Sequence, residues 1–260
     1  LQEVLATPEE NNVLKRLSRR RRRLVNERGR VANALQADLQ AVCPGLLEIT
    51  REAGNLWFLN FLTCRKGLLK LARVRRASLL KVPGIGDNYA SAIQAWQSRA
   101  YFASDASLVG DMIQQDAARI LELKLQIKAL EEKMAYIAER SSIACRFASI
   151  PGYGSICSAE LAGEIGTVKR FRHEASLALY LGMATLDRSS GKSRGSKPPR
   201  HVNARAKAAM MIAVDHHRKL VPQSQRYYEK KRAESKTHNQ AIRALGRHLC
   251  RVIFKMLTQD

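Results

Sequence analysis

The chain of 260 residues contains 45 lysines and arginines against 23 aspartates and glutamates, and its net charge is +22 at neutral pH. The positive charge is spread along the whole chain, which predicts a polyanionic partner. A membrane surface could also supply negative charge, but no apolar run approaches the roughly 18 residues of a spanning helix and no signal peptide is evident. A soluble nucleic-acid binder is therefore the expectation.

The cysteines favour a reducing compartment. Their number is odd and no two stand at the C-x-x-C spacing of zinc or redox sites, so neither a disulfide framework nor a zinc centre is expected. The cysteine pattern therefore predicts a reducing cytoplasm. Since the chain begins at Leu1 and not at methionine, we expect it to be a C-terminal piece or partly ordered portion of a longer protein. The five cysteines are Cys43, Cys64, Cys145, Cys157 and Cys250.

A long basic helix is predicted near the start of the chain. Thr7 has the chemistry of an N-cap and Pro8 that of a first helical residue, and leucines at heptad-like spacing continue to about Val42. Five arginines follow one another within this helix, so their charges point in every direction around it. A solvated helix face would leave these like charges to repel one another, and nucleic-acid contact is the better explanation. The arginines are Arg19, Arg20, Arg21, Arg22 and Arg23.

Two similar turns, Pro-Gly-Ile-Gly at 83–86 and Pro-Gly-Tyr-Gly at 151–154, each lead into a predicted helix. Their glycines allow the backbone N–H groups that start the next helix to approach a phosphate. The pattern resembles the helix-hairpin-helix element of DNA-binding proteins. An ordinary tight turn is the alternative.

A second long helix follows, in which Ile113, Ile120, Ile127 and Met134 occupy one heptad position and Leu123, Leu130 and Ile137 the other. Over about three heptads this spacing predicts a coiled coil, formed within one chain or between chains. An exposed seam would favour a partner helix, so we expect a homodimer or homotetramer.

The C-terminal part is denser in apolar residues and predicts several short helices, the last running from about Asn239 to Leu257. No strand-like alternation is evident, so the predicted class is mainly α. We divide the chain into an arginine-rich helix and coiled-coil region, 1–148, and a C-terminal domain, 149–260.

A loop rich in glycine, serine and proline, residues 186–205, interrupts that domain. It carries one acid, Asp187, and six basic residues that can neutralise phosphates. Its serines, Ser189, Ser190, Ser193 and Ser196, can attack a phosphorus atom, whereas a merely solvated loop is the alternative. The basic residues are Arg188, Lys192, Arg194, Lys197, Arg200 and Arg205.

Six motifs in this order resemble the C-terminal transposase domain of DEDD-type insertion-sequence transposases, which are bridge-RNA-guided recombinases. The resemblance covers nearly all of 150–260 and, more weakly, the arginine-rich helix. The motifs are Ile-Pro-Gly-Tyr-Gly-Ser at 150–155, Ala-Glu-Leu-Ala-Gly-Glu-Ile-Gly at 159–166, Tyr-Leu-Gly-Met-Ala at 180–184, Ser-Gly-Lys-Ser at 190–193, Tyr-Tyr-Glu-Lys-Lys-Arg at 227–232 and His-Asn-Gln-Ala-Ile at 238–242.

The resemblance implies that Ser190, before Gly-Lys, is the nucleophile of a DNA strand exchange. It further implies donor and target DNA, a structured guide RNA, and Mg²⁺ held by four acids of a RuvC-like domain. The chain departs from the family in front of Pro8, where no acidic, strand-rich stretch occurs, so the Mg²⁺ ligands are expected outside it. A second departure is Pro198-Pro199, where relatives have a glycine-containing turn.

Alternative functions stay open. A non-catalytic nucleic-acid scaffold would use the same charge without Ser190, and Ser189 is an alternative nucleophile. A RuvC-type nuclease subunit would draw on Glu160, Glu164 and Asp187, although the helical spacing of the two glutamates favours pairing with arginines. His201 lies within reach along the chain as a base, whereas the resemblance implies an acid and Mg²⁺ instead.

Overall fold

The computed structural model of the protein describes residues 5–190, 193–197, 199 and 202–259, with the backbone alone at 187–190 and 193–197. The fold is predominantly helical, which confirms the mainly α class predicted from the sequence. None of the helices in this described part is long and apolar enough to cross a lipid bilayer. The α-helices are α1 (Glu9–Val42), α2 (Leu56–Thr63), α3 (Arg76–Leu79), α4 (Asp87–Gln97), α5 (Ala106–Ala138), α6 (Ser142–Ala148), α7 (Ser155–Ile165), α8 (Glu174–Tyr180), α9 (Ala204–Leu220), α10 (Pro222–Ala233) and α11 (His238–Thr258).

Both long helices predicted from apolar periodicity are present. Helix α1 begins one residue after Pro8 and ends at Val42, and α5 contains the whole predicted heptad segment. Helix α11 starts one residue before Asn239 and is held at its start by a capping box between Thr237 and Gln240. All three are long helices with sustained apolar periodicity, and such segments are the ones that a sequence predicts best.

The contacts divide the chain into two compact units. We call Leu1–Arg20 with Leu130–Asp260 the terminal unit, and Arg21–Ala129 the middle unit. The sequence-based boundary at 148/149 differs from this division, because residues 1–20 and 130–148 group with the C-terminal part. The reason is packing: Leu14 and Met134 are buried in the same apolar cluster as the residues of α7, α9 and α11.

The middle unit is built around large aromatic side chains. Phe58, Phe61 and Trp96 are buried in its core, and the rings of Trp57 and Tyr89 stack with their centroids 4.1 Å apart. Burial of such side chains stabilises a fold by roughly 1.5–3 kcal/mol each. These contacts join α2 to α4, so this unit has an apolar core of its own.

Most of the heptad seam of α5 is buried within the chain. Ile113 and Ile120 belong to the core of the middle unit and Met134 to that of the terminal unit. Packing inside one chain therefore occupies five of the seven seam positions, while Leu130 and Ile137 are half-buried. The homodimer or homotetramer stays a prediction.

The two Pro-Gly-x-Gly turns lead into α4 and α7, as the sequence predicts, and both use a glycine in the left-handed region, Gly84 at φ +86° and Gly152 at φ +89°. A Cβ on Gly84 would lie 2.9 Å from that of Trp57, and one on Gly152 would collide with the backbone of His217. Close packing thus requires these glycines, whether or not the turns bind phosphate. The helix-hairpin-helix interpretation stays a prediction.

A short antiparallel hairpin, β1 (Leu186–Ser190) and β2 (Ser193–Lys197), contradicts the expectation that residues 186–205 form an irregular loop without strands. Its register pairs Ser190 with Ser193 and Ser189 with Arg194. Glycine and lysine are uncommon in strands, and these residues show no alternation of apolar and polar side chains, so the sequence did not predict the two strands. The sequence does contain one indication of a hairpin, Gly191-Lys192, because a two-residue link that starts with glycine favours a hairpin.

Candidate nucleic-acid site around the serine hairpin

The segments before β1 and after β2 are joined by a backbone hydrogen bond, in which the N–H of Asn203 donates to the carbonyl of Tyr180 at 3.0 Å. We call this junction the neck of the hairpin. Asn203 is also the N-cap of α9, its Oδ1 accepting from the N–H groups of Arg205 and Ala206 at 3.0 and 3.1 Å. Because one side chain ends the loop and starts the helix, the base of the hairpin has a fixed position on the core.

A buried carboxylate holds this neck. Glu164, in the last turn of α7, is fully buried, and its Oε2 accepts from the Asn203 amide at 2.7 Å. The Tyr180 hydroxyl donates to the Glu164 carbonyl at 2.6 Å and accepts from the Asn203 amide at 2.7 Å. Two residues from separate sequence motifs, Glu164 in α7 and Tyr180 in α8, thus meet Asn203 at the start of α9.

Arg19 completes the network. Its Nε and Nη2 donate to the two oxygens of Glu164 at 2.7 and 2.9 Å, which is the bidentate geometry of strong arginine–carboxylate pairs. Burial disfavours the charged form of Glu164, but the hydrogen bonds from Arg19 and Asn203 outweigh it and lower the pKa of the carboxyl. The predicted pairing of Glu164 with an arginine is confirmed. Arg19, expected to contact nucleic acid, makes this internal contact instead.

The structure describes the other predicted basic residues to different extents. Arg20 and Arg23 are exposed on α1, Arg22 is half-buried, and Arg205 is exposed in the first turn of α9. Arg188, Arg194 and Lys197 lie on the hairpin strands, of which the backbone is described, together with the nucleophile candidates Ser189 and Ser190. Lys192, Arg200 and His201 lie outside the described residues. The hairpin therefore brings the serines and three cations onto one small element.

The Tyr-Tyr motif of α10 fastens this helix to its neighbours. The Tyr227 hydroxyl contacts His248 Nε2 at 2.9 Å and the Tyr228 hydroxyl contacts His238 Nδ1 at 2.8 Å, both on α11. The guanidinium of Arg218, on α9, lies over the Tyr228 ring at 4.1 Å from its centroid. The motif thus supports the helices α9 and α11 that flank the hairpin.

Mg²⁺ has no ligand set in the part of the chain that the structure describes, because no three His, Cys, Asp or Glu side chains there are grouped to hold a metal ion. Glu164 is a candidate ligand of a RuvC-type nuclease, and both of its carboxylate oxygens accept hydrogen bonds from Arg19 or Asn203. Its engagement argues against the nuclease-subunit alternative.

An open depression of about 500 Å³ lies beside the second Pro-Gly-x-Gly turn and is lined on its far side by His216, Lys219 and Leu220. Gly154 precedes the first turn of α7 and no side chain caps that helix. An uncapped helix start carries N–H donors and a partial positive charge. The turn therefore keeps the features expected of a phosphate-binding element, next to a basic residue.

Comparison with known proteins finds relatives of this chain by sequence. Residues 144–229, which contain α7, α8, the hairpin and α9, match the family described as "Transposase IS116/IS110/IS902 family". The chain is 34% identical over 142 residues to the insertion element IS110 uncharacterized 43.6 kDa protein of Streptomyces coelicolor, covering 54% of this chain and 35% of that protein. It is 30% identical over 170 residues to the IS900 uncharacterized 42 kDa protein of Mycobacterium paratuberculosis, covering 65% and 43%.

The similarity covers nearly the whole chain in a third relative, the IS116 uncharacterized 44.8 kDa protein of Streptomyces clavuligerus. That protein is 25% identical over 257 residues, which are 96% of this chain and 64% of the relative. The chain thus spans between 35% and 64% of the lengths of these three relatives. The segment 144–229 that is similar to the IS116/IS110/IS902 transposase family includes the serine hairpin and three members of the network beside it, Glu164, Tyr180 and Asn203.

Proposed function

We propose that the protein is a DNA transposase that exchanges strands through Ser190. One observation carries the proposal: the transposase family match includes the hairpin on which Ser190 lies, and a buried network fixes the base of that hairpin. A nucleophile must be held in position relative to the reacting phosphorus, and a fixed neck below a short hairpin supplies that constraint.

The proposed reaction is a transesterification. The Ser190 hydroxyl gives up its proton as its oxygen forms a bond to the phosphorus of a DNA phosphodiester, while the bond from phosphorus to the departing sugar oxygen breaks and that oxygen takes up a proton. The DNA is then held as a phosphoserine ester. The hydroxyl of another strand loses its proton as it attacks the same phosphorus, the bond to the Ser190 oxygen breaks and that oxygen regains a proton, which completes the exchange. Cations on the hairpin, Arg188 and Arg194 with Lys192, stabilise the charge of the pentavalent phosphorus.

We further propose that the strand exchange is RNA-guided and that Mg²⁺ is held by acidic residues outside this chain. The support is the resemblance of the motifs and the charge of +22, which suits a partner of many phosphates. The cation supplies charge neutralisation and lowers the pKa of a bound hydroxyl when present. In this arrangement the present chain contributes the nucleophile, its basic neighbours and the surface that holds nucleic acid.

Binding should depend steeply on salt. We expect the protein to bind duplex DNA and structured RNA with a logarithmic slope that falls by about 0.9 for each duplex phosphate contact removed. Replacing both Arg20 and Arg23 by alanine should lower the slope on DNA by about 1.8 if each contacts one phosphate, and should leave α1 intact because alanine favours helices. Fluorescence anisotropy between low and moderate salt measures both quantities.

The matched control removes the same charge elsewhere, at the exposed residues Arg51 and Lys255. This pair of alanine substitutions should change the slope much less. Equal losses in the two double variants would mean that net charge alone determines binding, and salt-independent binding by the unaltered protein would contradict the proposal itself.

A further inference from the structure

A second concave site lies beside the start of the hairpin, in the terminal unit. Residues 183–185 form one wall, directly before β1, and the N-terminal half of α11 with Lys236 forms the other. The cavity holds about 490 Å³, within the range of about 300–1,000 Å³ typical of ligand pockets. Among the described residues that line it, three are cations, Lys236, Arg243 and Arg247, and none is acidic.

The three cations are neutralised to different degrees. Arg247 forms a two-pronged ion pair with Glu174, so its charge is largely compensated. Lys236 lies 3.3 Å from Glu234, a carboxylate that already accepts from Lys231 at 2.9 Å. Positive charge therefore exceeds negative charge around the pocket.

Arg243 is the cation whose charge is uncompensated. Its Nε donates to the Asn239 carbonyl at 3.2 Å, and among the described residues it pairs with no carboxylate. Its two terminal nitrogens remain as parallel donors, the fork that matches two oxygens of a phosphate. A half-buried guanidinium without a counter-ion, in a pocket free of acids, calls for an anionic ligand.

The start of α11 adds to this potential. Thr237 and Gln240 cap the helix reciprocally, the Gln240 Oε1 accepting from the Thr237 N–H at 2.9 Å, which leaves the Gln240 amide nitrogen as a donor on the pocket wall. The positive end of a 21-residue helix favours a negative charge within its first turn. The pocket thus combines a free guanidinium, an amide donor and a helix start.

We propose that this pocket binds a backbone phosphate of the nucleic-acid strand that is held at the hairpin. The inference rests on the proposed function, since the strand must pass close to Ser190, and Thr185 in the pocket wall immediately precedes β1. Arg243 takes two phosphate oxygens, and Gln240 and Lys236 contact the same phosphate or the adjoining one. None of these three residues is among the basic residues singled out from the sequence.

The test is the variant Arg243→Gln, which removes the fork and keeps a good helix former. Its matched control is Lys255→Gln on the same helix, twelve residues away and therefore about 18 Å distant along the axis. Binding is measured with single-stranded DNA, duplex DNA and RNA of one sequence. We expect Arg243→Gln to weaken binding of at least one of them about tenfold and to lower its salt slope by about 0.7–0.9, while Lys255→Gln changes neither.

The pattern among the three oligonucleotides identifies the strand in the pocket, and equal melting temperatures show that the variants fold alike. If Arg243→Gln binds all three like the unaltered protein, the pocket proposal is overturned and the proposed function stands. The pocket proposal is also overturned if only the binding of inorganic phosphate responds to the substitution, because the pocket then holds a free anion. Absence of salt-dependent binding by the unaltered protein would overturn both proposals.

Discussion

Replacing Ser190 by alanine is expected to abolish strand exchange and leave nucleic-acid binding unchanged. The substitution removes one hydroxyl from a strand of the small hairpin, so the free energy of unfolding should change by no more than about 0.5 kcal/mol. Without the hydroxyl no phosphoserine ester can form, whereas the cations that attract the phosphates remain. The assay uses the full-length protein with Mg²⁺ and a guide RNA, and traps the DNA adduct with a suicide substrate.

Peptide mapping of the adduct decides between the two adjacent serines. Ser189→Ala is the matched control, since Ser189 lies one residue away on the same strand and pairs with Arg194 in the register. An adduct on Ser189 would move the nucleophile by one residue. Full strand exchange by the Ser190→Ala protein would rule out Ser190 as the nucleophile.

Removing Arg19 is expected to destabilise the protein by about 3 kcal/mol at neutral pH, the lower end of the effect of breaking a buried ion pair. The Glu164 side chain is fully buried, whereas that of Arg19 is 42% exposed and partly screened by water. Arg19→Ala therefore leaves a buried charge without its main partner, whereas Glu164→Gln leaves a guanidinium that solvent can reach. Glu164→Gln should therefore lower the free energy of unfolding less than Arg19→Ala does. Arg20→Ala, one residue along α1, should change it little. Chemical denaturation measures all three.

The effect of Arg19→Ala should also depend on pH. In the unaltered protein the pKa of Glu164 is lowered, so its pair adds stability above the ordinary carboxylate pKa, and this stability is lost as the pH falls through the lowered value. Without Arg19, burial raises the pKa of Glu164, so the carboxylate of the variant takes up a proton as the pH falls. Protonation removes the buried charge and thereby restores part of the variant's stability. The stability difference should narrow between pH 7 and pH 4. A difference that is constant over this range would show that Arg19 acts through packing alone.

The Glu164 network also changes how the arginine run is interpreted. The run predicts nucleic-acid contact, but because a helix turns by about 100° per residue, its adjacent arginines face different surroundings. Arg19 faces α7 and pairs inside the fold, while Arg20 points to solvent. Charge along the sequence predicted the partner class, and helical phase decided which arginines remain available for it.

The sequence by itself determined the predominantly helical class, the presence of the long helices α1, α5 and α11, and the similarity of 150–260 to a transposase domain, because periodicity and motifs are local signals. Only the tertiary structure decided that most of the α5 seam is buried in the chain, that β1 pairs with β2, and that Glu164, Tyr180, Asn203 and Arg19 meet in one network. Arg19 and Glu164 are 145 positions apart, and the pocket wall at 183–185 is more than fifty residues from Arg243. Their contacts depend on how helices pack, which no local pattern of residues encodes.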